Sequence, residues 1–322
     1  MRYLDPKADL TFKRVFGEHA DLLKSLLNSL LPLEGDGLID TLEYLPAEQV
    51  PENPMKKNSI VDVKCKDHTG RVFIVEMQMI WSEEFKQRVL FNASKAYVRQ
   101  LDRSEDFALL QPVYALALIN DVFEPDDDLC IRNYGLVEIE NTKKVIDGLY
   151  LTFVELPKFQ PHTMSEKKMA ALWLRYLTEI NENTRSVPSE LLEHAETKKA
   201  IELVEQGAYT DAQMEGYDRF WDAVRVEKTL VKSAVRKGFA IGLAQGMQQG
   251  MQQGMQQGME QGMQQGMEQG MKQGMEQGMQ QGMQQGMQQG IASVARNMKA
   301  MGMSVDDIAK ITGLSPDEIK QL

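Results

Sequence analysis

The sequence predicts an α/β domain built in the order helix, β-hairpin, helix, strand, followed by an α-helical region and a C-terminal repeat. Three observations predict it. Leucine and phenylalanine recur at helical spacing over 12–31, two β-branched runs alternate on either side of Asp67-His68-Thr69-Gly70, and a Gly-Met-Gln-Gln tetrapeptide recurs over 246–290.

Phe12, Val15 and Phe16 mark a first helix, Gly17 interrupts it, and Leu22, Leu23, Leu26, Leu27, Leu30 and Leu31 form a second stripe that ends at Pro32. A connector bearing proline and asparagine spans 46–58. The runs 59–66 and 72–79 then read as the two strands of a hairpin. Residues 85–101 return to helical period, 112–119 form a short buried strand, and 136–139 and 150–156 add further strands. Past Pro161 the pattern is helical: 167–180, 189–205 and 211–244 carry apolar stripes with charged opposite faces. This divides the chain into an α/β domain over 1–160, a helical region over 161–245, the repeat over 246–290 and a small helical unit over 291–322.

A chain of 322 residues, 43% hydrophobic, is long enough for a substantial core. No apolar run approaches the roughly 20 residues a membrane helix needs, and the first residues mix Asp5, Lys7, Asp9 and Lys13, so a cytoplasmic protein with no membrane partner is expected. Cys65 and Cys130 lack the spacing of a thiolate site, and the four histidines are scattered, which leaves carboxylates to hold any metal. The net charge of -11 opposes binding to phosphate as a whole-molecule property. A local basic surface of Lys56, Lys57, Lys64, Lys66, Arg71, Lys86 and Arg88 is expected to offset it.

The chemistry lies in the hairpin. Side chains alternate along a strand, so Asp62, Lys64 and Lys66 are expected on one face and Val61, Val63 and Cys65 on the other, while Ile74, Glu76 and Gln78 share a face on the second strand. Pairing brings Asp62 and Glu76 together on otherwise apolar strands, where two carboxylates need compensation. Mg²⁺ suits them, since it takes carboxylate oxygens, keeps waters and neutralises charge on a phosphate. Gln78 is placed to orient the attacking water, and Lys64, beside Asp62, to supply positive charge. The same spacing also fits ordinary cross-strand pairing of Asp62 and Glu76 with Lys64, Lys66 or Arg71 at a solvated edge.

These residues resemble the recombination-promoting nuclease, or Rpn, branch of the PD-(D/E)XK superfamily, whose members are also described as transposases. The resemblance runs through Asp5-Pro6-Lys7-Ala8-Asp9, Phe12-Lys13-Arg14-Val15-Phe16-Gly17, Leu27-Asn28, Val61-Asp62-Val63-Lys64, Gly70-Arg71, Val75-Glu76-Met77-Gln78, a helix with Arg88, Tyr97, Gln100 and Leu101, and Pro112-Val113-Tyr114. It covers residues 1 to about 155 and implies a restriction-endonuclease-like core. It further implies that Asp62 and Glu76 ligate a divalent metal, Mg²⁺ or Mn²⁺, that Gln78 replaces the superfamily's usual lysine, and that Asp9 supplies an acidic residue from the first helix. The expected activity is metal-dependent endonucleolytic hydrolysis of DNA linked to recombination or mobile DNA. The alternative is a catalytically silent relative that binds DNA or protein and self-associates through its C-terminal region.

A four-residue repeat advances about 400° on a helix, so a glycine stripe winds around the axis. Glycine costs about 1 kcal/mol relative to alanine at each interior position, so the segment is expected either to pair or to stay unstructured. An expandable linker is the favoured reading. A self-associating bundle within 238–322, with Met side chains filling gaps, is the alternative. The tail resembles a helix-turn-helix in which Ser315 caps the second helix, but that helix carries Asp317 and Glu318 where DNA-binding cations are expected, so packing or oligomerisation is the expected role.

Overall fold

The computed structural model describes residues 2–49, 59–101, 106–161 and 168–322. Two compact units divide the chain, Met1–Ser233 and Ala234–Leu322.

The first unit is a three-layer α/β/α arrangement. Its opening helix α1 (Asp9–Phe12) runs into one turn of π-helix (Lys13–Gly17), and α2 (Ala20–Leu30) follows. Phe16 packs edge-on against Trp173 and Tyr176, at centroid separations of 5.4 and 6.5 Å. The strands are β1 (Leu42–Tyr44), β2 (Glu48–Gln49), β3 (Ser59–Ile60), β4 (Val63–Asp67), β5 (Val72–Gln78), β6 (Val113–Ile119), β7 (Ile131–Glu138) and β8 (Asn141–Glu155). Six of them form one sheet in the order β1-β4-β5-β6-β8-β7, with β5, β6 and β8 parallel to one another, while β2 and β3 pair separately.

The β4–β5 turn forms as the sequence expects. Asp67 Oδ1 accepts the main-chain N–H of Thr69 and of Arg71, both at 3.0 Å, and Gly70 takes φ +90°. Helix α3 (Glu84–Val98) then crosses from β5 to β6. It buries Phe85, Val89, Ala93 and Ala96 on Ile74, Ala115, Ala117 and Phe153, and the small alanines of β6 let the helix lie close. On the opposite face Phe73, Val75, Leu116 and Leu118 meet the leucines of α2.

Several expectations are corrected. The run 59–66 is not one strand: it breaks at Val61 and Asp62, so Val61 joins the α3-side core while Val63 and Cys65 join the α2-side core. A bend there resets the two-residue alternation, which pattern reading cannot detect. Helix 189–205 is two helices, α5 (Ser189–Glu193) and α6 (Ala195–Leu203), because His194 between them is extended. The strands expected at 136–139 and 150–156 extend into β7 and β8, a long hairpin through 131–155, beyond the short apolar runs that marked them. The division expected at residue 160 does not separate two cores. Helix α4 (Lys168–Glu179) contributes Trp173, Tyr176 and Leu177 to the core that holds Phe16, Leu26 and Val75. The start of helix α7 (Asp211–Ala300) also belongs to this unit: Tyr217 Oη accepts the Asp5 N–H at 2.8 Å, and Val224 packs on Met79 and Ile80.

In the second unit the repeat is helical throughout. Its methionines are exposed, Met251 to 72% and Met267 to 60%, and a Cβ at any glycine of 246–290 would meet nothing within 4 Å. Helices α8 (Val305–Thr312) and α9 (Pro316–Gln321) follow, with Ile308 and Ile319 packed on Ala295. Ser315 forms a reciprocal capping box with Glu318, and Gly313 ends α8 at φ +74°. Among the described residues no helix is long and apolar enough to cross a membrane.

Candidate active site

The β5 register and the break before β4 together create one cavity of about 690 Å³, whose lining includes Asp62, Glu76, Gln78, Arg88 and Asn92. Glu76 points toward α3, where Asn92 donates to its Oε1 at 2.8 Å and Arg88 Nη2 lies 3.3 Å from its Oε2. Its residue is only 5% exposed. Asp62 arrives differently. Because the chain bends at this residue, its carboxylate replaces a ladder carbonyl: Oδ2 accepts the Met77 N–H at 2.6 Å. One buried main-chain donor is thereby satisfied by a side chain, which fixes the carboxylate against the strand that carries Glu76.

Burial pushes the Asp62 carboxyl up to about 6, the Met77 N–H opposes the rise, Glu76 and Asp9 add to it, and Lys13 counters it. Asp62 and Glu76 both line this cavity. Asp9 is not brought into the same cavity. It pairs with Lys13 at 2.7 Å and lines a second cavity with Arg14 and Arg219, although its charge and that of Lys13 are felt at Asp62. The π-turn places Lys13 there, and turns of this kind are frequent at functional sites.

Gln78 lies on the Glu76 face as expected, with both ends of its amide engaged: Nε2 donates to the Ile80 carbonyl at 2.7 Å and Oε1 accepts from Arg88 Nη2 at 2.8 Å. Lys64 does not line the cavity. Burial, then the charges of Arg99 and Lys95, hold its ammonium below the usual lysine range. The rest of the expected basic surface is largely neutralised. Lys66 pairs with Glu43, Arg71 with Asp67 and Lys86 with Glu124, while Lys56 and Lys57 lie outside the described residues. Arg88 is expected from the sequence only as part of the basic surface and of the matching helix, not beside the carboxylates, and Asn92 carries no sequence expectation. The signal available was their spacing: positions 85, 88, 89 and 92 share one helical face, and Phe85 and Val89 of that face are core.

The donor set at Asp62 and Glu76 fits a hard divalent cation. Both groups are carboxylates, Cys65 belongs to the core on the other face of the sheet, and among the described residues no cluster of three or more His, Cys, Asp or Glu side chains is suited to a metal. Two carboxylates with the remaining positions left to water match Mg²⁺ better than an ion that requires a full protein cage.

An α/β/α layer fold in which Asp62 and Glu76 line one cavity beside a crossover helix agrees with the restriction-endonuclease-like core that the resemblance implies. The family described as PD-(D/E)XK nuclease family transposase matches residues 6–234, and the chain belongs to it. The C-terminal helix-turn-helix domain of the Rpn/YhgA-like nuclease family matches residues 288–322, as the tail's resemblance implied, and a domain of this kind suggests DNA binding. Curated proteins and solved structures gave no match. Membership points to a nuclease-type role connected with mobile DNA.

Proposed function

We propose that the protein is a Mg²⁺-dependent DNA endonuclease, with Mn²⁺ as a substitute ion, that hydrolyses phosphodiester bonds at the cavity between β5 and α3. The observation that carries this reading is the convergence of Asp62 and Glu76 on one cavity, each fixed by its own donor, Met77 N–H and Asn92 Nδ2. Asp62 and Glu76 would hold the ion. When bound, it supplies a water of lowered pKa and neutralises charge developing on the phosphate.

The chain's own residues contribute pre-organisation. Asn92 and the Met77 amide fix both carboxylates, so little reorganisation is needed when a substrate arrives. Lys64, on which the charges of Arg99 and Lys95 act, contributes positive charge that draws the phosphate backbone toward a chain whose overall charge is -11. Asp9 acts at a distance, tuning Asp62 through its pair with Lys13. Gln78 is the uncharged third member of the set.

Plasmid cleavage by the purified chain tests the reading. Nicked or linear DNA is expected with Mg²⁺, none with EDTA, and none with Asp62→Ala or Glu76→Ala in either condition. Supercoiled DNA surviving Mg²⁺ and Mn²⁺ would leave a silent binding protein instead.

A further inference from the structure

We propose that Arg88 supplies from α3 the positive charge that Gln78 lacks, gripping the phosphodiester at the carboxylate pair, and that Gln78 is the positioning residue that aims it. The inference rests on the nuclease reading and names the group that receives the phosphate.

The amide of Gln78 has a fixed orientation. Its Nε2 is tied to the Ile80 carbonyl, and Ile80 is itself buried against Val224, so Oε1 is held toward Arg88. The guanidinium carbon also lies 4.7 Å from the centroid of the Phe85 ring, which supports the group from beneath. Both hydrogen bonds engage Nη2, which leaves the donors of Nη1 and Nε for a ligand. The side chain is 49% exposed and lines the same cavity as Asp62 and Glu76.

A guanidinium present only to neutralise Glu76 would close on that carboxylate with two short bonds. Here the nearer partner is the neutral amide, at 2.8 Å against 3.3 Å for the carboxylate, and Glu76 already has Asn92 at 2.8 Å. A planar fork half open to a cavity, held from behind by an amide and a ring, matches what recognises a phosphate oxygen pair. In this geometry a lysine at position 78 is unnecessary, because the charge reaches the site from the following helix.

The test uses the full chain and a labelled DNA duplex, with binding measured in EDTA across a KCl series and cleavage measured in Mg²⁺. Arg88→Ala is expected to lower the salt-dependence slope by about one phosphate contact and to reduce cleavage by about 10²-fold. Arg88→Lys keeps the slope. Gln78→Ala also keeps the slope and the affinity while cleavage falls through kcat, since the charge remains but is no longer aimed. The double variant R88A/Q78K regains the slope lost in R88A. If Arg88→Ala melts early, Arg88→Gln, which retains a donor toward Glu76 without charge, carries the same expectation. An unchanged slope in a folded Arg88→Ala or Arg88→Gln overturns the inference and reduces Arg88 to a partner of Glu76. Absence of cleavage by the unaltered chain, with the slope differences intact, would instead remove the nuclease reading and leave Arg88 as a phosphate contact.

Discussion

Asp62 sits where burial disfavours its charge and a single N–H partly restores it. Its folded pKa, about 6, lies above the ordinary 3.8, so the folded state holds the proton more tightly than the unfolded chain. Stability from this group is full below about pH 4 and is lost as pH rises toward 6. Asp62→Asn, which keeps an acceptor for Met77, should therefore raise the melting temperature by a few degrees at pH 7 in EDTA and leave it unchanged near pH 4. Equal melting temperatures at both pH values would show that the carboxylate is not destabilised by its setting. Glu155 poses the opposite case. It is fully buried, pairs with Lys158 at 3.0 Å and Arg132 at 3.3 Å, and accepts the N–H of Phe123 and Glu124. Glu155→Ala leaves Lys158 buried without that partner and should cost about 3–5 kcal/mol in urea denaturation. A loss below about 1 kcal/mol would mean that Lys158 escapes to water.

At the scale of elements, the repeat is the least self-sufficient part of the chain. Methionine and glutamine are good helix formers and no proline or β-branched residue interrupts 246–290, which favours the helix. Its glycines work against it, each by about 1 kcal/mol, and no neighbouring atom stands near their Cβ positions. Converting Gly254, Gly262 and Gly270 to alanine should therefore strengthen the helix, read as a later loss of the 222 nm signal on heating. A weaker signal after these changes would instead reveal a second backbone packed closely on the glycine stripe, as self-association through this region requires. The linker expected from composition and the observed helix differ because composition registers the glycine cost but not the favourable residues between.

For the whole molecule, the core is built by segments far apart in sequence. Trp173 and Tyr176 close on Phe16, Lys7 donates to the Leu177 carbonyl at 2.8 Å, and Tyr217 holds the main chain at Asp5. A chain ending at residue 233 should unfold cooperatively within a few degrees of the full one. A chain ending at residue 160 should not fold, because it bares the leucines of α2. Cooperative melting of the shorter piece would restore the division at residue 160. The family match over residues 6–234 follows the same extent as the first compact unit, Met1–Ser233.

Local rules in the sequence determined the order of elements, the hairpin turn, the shared face of Ile74, Glu76 and Gln78, and the candidate carboxylate pair, because periodicity and turn chemistry are properties of neighbouring residues. Only the tertiary structure decided the bend that swings Val61 to the other face, the capture of Met77 N–H by Asp62, the separation of Asp9 and Lys64 from the cavity, and the arrival of Arg88 and Asn92 from α3. Those outcomes depend on which backbone donors are left unpaired and which helix crosses which strand, and such matters are settled by packing across the sheet rather than along the chain.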